Sequence, residues 1–184
     1  EPYLSIPKPY QKPYPPMLLP VDSQESFVPM GTLGYKIAIG AGSSTHNLRG
    51  TTVQLEDVKN YRKAWKDAGH EGEPTTVVRI PTLLADTKEE AERLSDELMV
   101  LARRYFNGRI GIGSTDAGSA SPDTTAEVNL FGTAEDVVEK IEVLREQYST
   151  DEIMFEVNWT SSVPRDVVTN TIRILTDKVI PKFK

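Results

Sequence analysis

The segment MLLPVDSQESFVPMGTLGYKIAIG, residues 17–40, decides the fold. Met17–Val21 is a short apolar run that reads as a strand. Asp22 and Ser23 sit at its C-terminal end, and a short helical stretch carrying Phe27, Met30 and Leu33 follows. Gly34 closes that stretch, because a residue without Cβ takes up the left-handed conformation past a helix end at little cost. Lys36–Gly40 is a second strand. Strand, helix and strand in such quick succession make a crossover between parallel neighbours, and such crossovers are right-handed.

The same alternation continues downstream. After a polar, glycine-rich loop from Ala41 to Gln54, the residues Leu55, Val58, Tyr61, Trp65 and Ala68 share one helical face, and Gly69 stops that helix. Thr76–Ala85 reads as a third strand, and its Pro81 predicts a bulge or an edge position. Asp86-Thr87 then opens a long helix, with Thr87 and Glu90 in capping-box spacing. Its buried stripe is Ala91, Leu94, Leu98, Leu101, Ala102 and Tyr105. Asn107–Glu127 is rich in glycine, serine and threonine and has no long apolar run, so it reads as a mobile loop. Loops of such length inside a compact domain often serve as lids. Gly132-Thr133 starts a helix with Val137, Ile141, Leu144 and Tyr148 at helical spacing, and Glu152–Val157 is the fourth strand. A last helix begins at Pro164, buries Val167, Val168, Thr171, Ile172, Leu175 and Val179, and ends at Pro181. The reading is α/β, with parallel (β/α) units.

Upstream, residues 1–16 form an extended arm. Pro2, Pro7, Pro9, Pro13, Pro15 and Pro16 fix its backbone away from helix. Pro13-Tyr14-Pro15-Pro16 matches PxxP, a pattern common in any such segment. The chain begins at Glu1 and reads as a piece of something longer. Its 184 residues contain no cysteine, which excludes disulfides, thiolate nucleophiles, Cys-ligated zinc and iron–sulfur clusters. Two histidines, His46 and His70, make a histidine-built metal site improbable, so no metal is expected. A net charge of −6 argues against nucleic-acid or anionic-membrane binding. No apolar run reaches membrane-spanning length, and no signal-peptide pattern follows Glu1, so a cytoplasmic location is expected.

In a parallel sheet, ligands bind at the C-terminal strand ends. Val21-Asp22-Ser23-Gln24-Glu25-Ser26 sits at such an end. Ser23 and Ser26 are one helical turn apart, so both hydroxyls could reach one phosphate. The same residues also suit plain N-capping by Asp22 or Ser23. Gly40-Ala41-Gly42-Ser43-Ser44 has only the start of a dinucleotide fingerprint, since Thr45 stands where the third glycine would follow. His46 lies in that loop, on the ligand side, as a solvated residue or a substrate contact. His70, just past Gly69, suits a helix C-terminus. Glu152 and Glu156 share one face of their strand, with Arg or Lys partners expected.

Taken in order, these segments resemble the flavin-dependent luciferase-like monooxygenases, the family of bacterial luciferase. The matching stretches are IPKPYQKPYPPM, VDSQES, YRKAWKDAGHEG, ADTKEEAERL, FGTAEDVVEKIEVL, DEIMFEVN and the closing VIPKFK. The resemblance implies a TIM barrel of which residues 17–184 are the C-terminal half, strands five to eight. It implies that Asp22, Ser23, Gln24 and Ser26 hold the phosphate of FMN, and that residues 107–127 are a lid, with His46 and Arg109 on the substrate side. The catalytic residues belong to the family's first four strands, so none is assigned here. The implied activity uses reduced FMN and O2 to oxidise a small organic substrate. The alternatives are a deazaflavin (F420)-dependent oxidoreductase of the same superfamily, and a non-catalytic half-barrel that binds or assembles. The expected partner is the N-terminal half of the barrel or a second chain, in a homo- or heterodimer.

Overall fold

A computed structural model describes residues 7–12, 14–21, 23–40, 55–110, 129–158 and 163–184. The elements are β1 (Leu18–Val21), a 3-10 turn (Gln24–Ser26), α1 (Phe27–Leu33), β2 (Lys36–Gly40), α2 (Leu55–Asp67) and β3 (Thr76–Leu84). There follow α3 (Lys88–Ile110), β4 (Leu130–Gly132), α4 (Ala134–Tyr148), β5 (Glu152–Glu156) and α5 (Arg165–Ile174). All strand pairings are parallel.

Strand β3 is the hub. It pairs with β2 through Thr76–Arg79, with β5 through Val77–Pro81 and with β4 through Thr82–Leu84. The sequence predicted a bulge or an edge position at Pro81, but β3 is a central strand with partners on both sides. Pro81 holds the last place in the β5 ladder, where β3 passes to β4. Four strands were expected, and the sheet has five. The addition, β4, is three residues long, too short to show a period, and all three are buried. Its backbone is stitched in from several sides: Ala85 N–H donates to the Gly132 carbonyl at 3.1 Å, and Lys140 Nζ donates to the Asn129 and Phe131 carbonyls at 3.1 and 2.9 Å.

Two further boundaries differ from expectation. Helix α3 runs on to Ile110, so Asn107–Ile110 is helix and not loop. Pro181 does not end the last helix, which widens into a π turn over Leu175–Val179 and tightens into a 3-10 turn over Ile180–Phe183. Proline is tolerated there because the first N–H groups of a new turn have no intrahelical partner.

Alternation along the strands separates two faces. Val21, Ile37, Ile39, Val78 and Ile80 pack under Val58, Tyr61 and Trp65 of α2, Val137, Ile141 and Leu144 of α4, and Ile174. Ile153 and Phe155 lean on the same core. The other face carries Leu18, Pro20, Ala38, Val77, Arg79, Met154 and Glu156. Its outer rows stay partly exposed: Leu18 at 36% and Met154 at 41%. A second, smaller core lies where α3 meets the end of β3, through Leu83, Ala85, Ala91, Leu94, Leu98 and Phe131. Among the described residues, no helix is long and apolar enough to cross a membrane.

Helix ends follow local chemistry. Gly34 adopts φ 74°, and the amides of Gly34 and Tyr35 return to Gly31 and Met30 at 3.1 Å. His70 closes over that end, its Nε2 2.8 Å from the Thr32 carbonyl and its ring 5.2 Å from that of Trp65. Helices α1 and α2 touch at Gly31, where a Cβ would stand 2.3 Å from the Tyr61 carbonyl oxygen. Gly31→Ala should therefore destabilise the fold by about 1–3 kcal/mol despite alanine's better helix propensity. A lower urea midpoint with an unchanged m-value is the expected result.

Candidate functional site

Parallel strands place all their C-terminal ends on one edge of the sheet. At the end of β1, Val21 and Phe27 are each 1% exposed and anchor the intervening turn from both sides. Between them, Ser23 Oγ and Ser26 Oγ stand 2.9 Å apart, partly buried. Ser23 is extended, at φ −134° and ψ 145°, and its carbonyl receives the Ser26 N–H at 3.0 Å. Neither serine side chain caps a helix N–H. The two hydroxyls are thus engaged with each other, and both can turn toward a common acceptor.

The remaining expected residues fall differently. Gln24 is drawn aside, its Nε2 donating to Asp57 Oδ2 of α2 at 3.4 Å. Asp22 and His46 lie outside the described residues, as do residues 111–127 of the expected lid. Arg109 lies in the last turn of α3. Among the described residues, no group of three or more His, Cys, Asp or Glu could hold a metal ion.

Two ion-pair groups on this side of the sheet were not read from sequence as such. Asp86, expected to open α3, instead reaches the last helix: Arg173 Nη2 lies 2.6 Å from Oδ2 and Lys178 Nζ 3.1 Å from Oδ1. Hydrogen bonds from those two cations hold its carboxyl below the usual range. Thr87 is the cap its spacing with Glu90 predicts, accepting the Glu90 N–H at 3.3 Å, while the Glu90 carboxylate pairs with Arg93. On the helix-free face, Arg79 Nε lies 3.5 Å from Glu156 Oε1. The alternation pattern exposes that partnership only as a shared-face carboxylate awaiting a cation. A cleft of about 270 Å³, lined by Ile141, Ile153, Phe155, Ile180 and Phe183, opens instead beside Thr150 and Asp151, at the amino-terminal strand ends.

At the end of β4 stands a complete capping box. Thr133 Oγ1 accepts the Asp136 N–H, and Asp136 Oδ2 accepts the Thr133 N–H at 2.9 Å. The carboxylate fills the space where Gly132, at φ 151°, lacks a Cβ.

No family model matches the sequence, and no curated protein matches it. Solved structures do. Monooxygenase RslO1 from Streptomyces bottropensis superposes with a TM-score of 0.65 at 17% identity, over 97% of this chain and 51% of its own. The chain shares the (β/α) fold of that structure over about half of its length. The FMN-bound oxygenating constituent of 3,6-diketocamphane monooxygenase, a type II Baeyer–Villiger enzyme from the CAM plasmid of Pseudomonas putida, gives 0.63 at 20% identity, over 92% and 49%. The coenzyme F420-dependent tetrahydromethanopterin reductase of Methanopyrus kandleri gives 0.57 at 16%, over 92% and 51%. At these identities the likeness is one of fold. The chain spans about half the length of these structures, as a half-barrel does.

Hydrogen bonds to Thr133 lower the Asp136 pKa. A depressed folded-state value adds stability above the unfolded value near 4, and this is lost as pH falls through the folded value. Asp136→Asn should therefore lose less stability than the parent between pH 6 and pH 3, measured by urea unfolding at both.

Proposed function

We propose that this chain is the C-terminal half, strands five to eight, of a flavin-dependent monooxygenase barrel that uses reduced FMN and O2 to oxidise a small organic substrate. The observation that carries the reading is the Ser23–Ser26 hydroxyl pair at the end of β1. With their oxygens 2.9 Å apart, both O–H groups reach a single phosphate oxygen or two oxygens of one phosphate. Charge-assisted bonds of this kind are short and stronger than neutral ones. The anchoring of Val21 and Phe27 in the core holds the pair in place before the ligand arrives. The residues present thus fit a phosphorylated cofactor.

Bound FMN supplies the oxygen chemistry. The chain's own part is grip, orientation and exclusion of water. Ser23 and Ser26 hold the phosphate, and Asp22 accepts a ribityl hydroxyl or orients the turn. Gln24, tied to Asp57, supports the turn from the side of α2. In this reading His46 and Arg109 serve the substrate side of the site. Four further βα units complete the barrel, from the same polypeptide upstream or from a partner chain, and cover the rows of Leu18 and Met154.

The likeness to an F420-dependent reductase favours one other reading, a hydride transfer to or from a deazaflavin. Both cofactors carry a phosphate, so the serine pair serves either. The absorbance of copurified cofactor separates them.

In the complete barrel, Ser23→Ala should weaken FMN binding by about 1–2 kcal/mol, and the Ser23→Ala/Ser26→Ala double variant by more. Titration of FMN fluorescence reads this directly. Unchanged affinity in the double variant would remove the serines from the site.

A further inference from the structure

Arg79 stands on the helix-free face of β3, the face that lines the lumen in the reading just given, on which this inference rests. Its ladder partners are Gly40 of β2 and Met154 of β5. On that face β2 offers Gly40 and Ala38 nearest the guanidinium, with Lys36 at its far end level with Leu18, so the strip directly beside Arg79 holds one methyl group and one bare backbone. The neighbouring rows are apolar at Leu18, Pro20, Val77 and Met154, and Lys36 lies at the far end beside Leu18.

Glu156 engages Arg79 through Nε, at 3.5 Å, and this is the arginine's sole polar contact among the described residues. The parallel Nη1 and Nη2 donors have no partner there, although the side chain is only 38% exposed. A guanidinium fork carries N–H groups in a plane that matches two carboxylate oxygens. A carboxylate on the Nε side draws the guanidinium toward β5 and leaves the fork available. By register, Arg79 lies one residue beyond the level of Val21 and two strands across, on the order of 10 Å from the end of β1 at about 4.8 Å per strand. A small molecule lying over Ala38 and Gly40 would thus sit between the arginine and the serine pair.

We propose that Arg79 is a substrate-binding residue that takes the carboxylate of an otherwise apolar organic molecule, with Glu156 as its positioning residue. The Arg79–Glu156 pair is formally neutral, so the fork discriminates by bidentate geometry as much as by charge. An uncharged amide of the same shape gains less from it.

The test uses the complete protein and two probes, 2-naphthoate and 2-naphthamide, with flavin binding measured on every variant. The parent should bind naphthoate the more tightly. Arg79→Met should lower naphthoate affinity at least tenfold and leave naphthamide within about twofold, since the apolar surface remains. Arg79→Lys, which keeps the charge and loses the fork, should fall between. Equal losses for both probes, or unchanged naphthoate affinity, would overturn the assignment. If Arg79→Met does not fold, Arg79→Lys decides, and parental naphthoate affinity in it would overturn the assignment as well. Flavin binding retained alongside such a result confines the failure to Arg79, whereas flavin binding absent from the parent rejects the flavin reading itself.

Discussion

The saturation of β3 by its neighbours is the constraint on which the fold depends. A buried strand must place every amide and carbonyl, and β3 has a single partly exposed residue, Arg79. Two parallel ladders serve most of its length, and β4 serves its end. Where the ladders stop, side chains from distant helices finish the work. Thr171 of α5 accepts the Leu84 N–H at 3.2 Å and donates to its carbonyl at 3.4 Å. At the opposite end Asp151 accepts the Thr76 N–H at 2.8 Å. Arg62 of α2 then binds Thr76, Asp151 and the Ser149 carbonyl together. The strand is thereby fixed against α2, α5 and the turn before β5 at once.

That fixation also sets the geometry of the candidate site. Parallel pairing with a set register brings the end of β1, the end of β3 and the Arg79 row to one edge and one face. The serine turn is held by Val21 and Phe27 in the core beneath it and tied through Gln24 to Asp57 of α2. Its two hydroxyls spend their bonds on each other and not on helix amides, so they can be redirected without unwinding α1. Arg79 differs, because its place is meaningful only through the register of β2, β3 and β5.

What could be read from the sequence follows from how local each determinant is. The period of α2 and α4, the glycine stop at Gly34 and the Ser23–Ser26 spacing all act within a few residues, and the sequence displays them openly. Strand β4 is shorter than any period and is held by Lys140 and Ala85, so nothing in Leu130-Phe131-Gly132 announces it. The end of α3 misleads for a related reason: Asn107 and Gly108 favour loops, yet the backbone there continues as helix. Pro81 suggested an edge because a proline lacks an N–H, but the hand-over between two partner strands provides a place where that lack is tolerated. The pairing of Asp86 with Arg173 spans 87 residues, and no local pattern encodes it. The (β/α) order carried in the sequence reappears in the structure as a fold shared with about half of each neighbouring structure.

The central claim is that the hydroxyl pair at the end of β1 holds a flavin phosphate. A crystal structure of the complete barrel with FMN tests it most directly. The account predicts a phosphate whose oxygens lie within hydrogen-bonding distance of both Ser23 Oγ and Ser26 Oγ. A phosphate bound at the end of another strand, with the two serines still bonded only to each other, would contradict it.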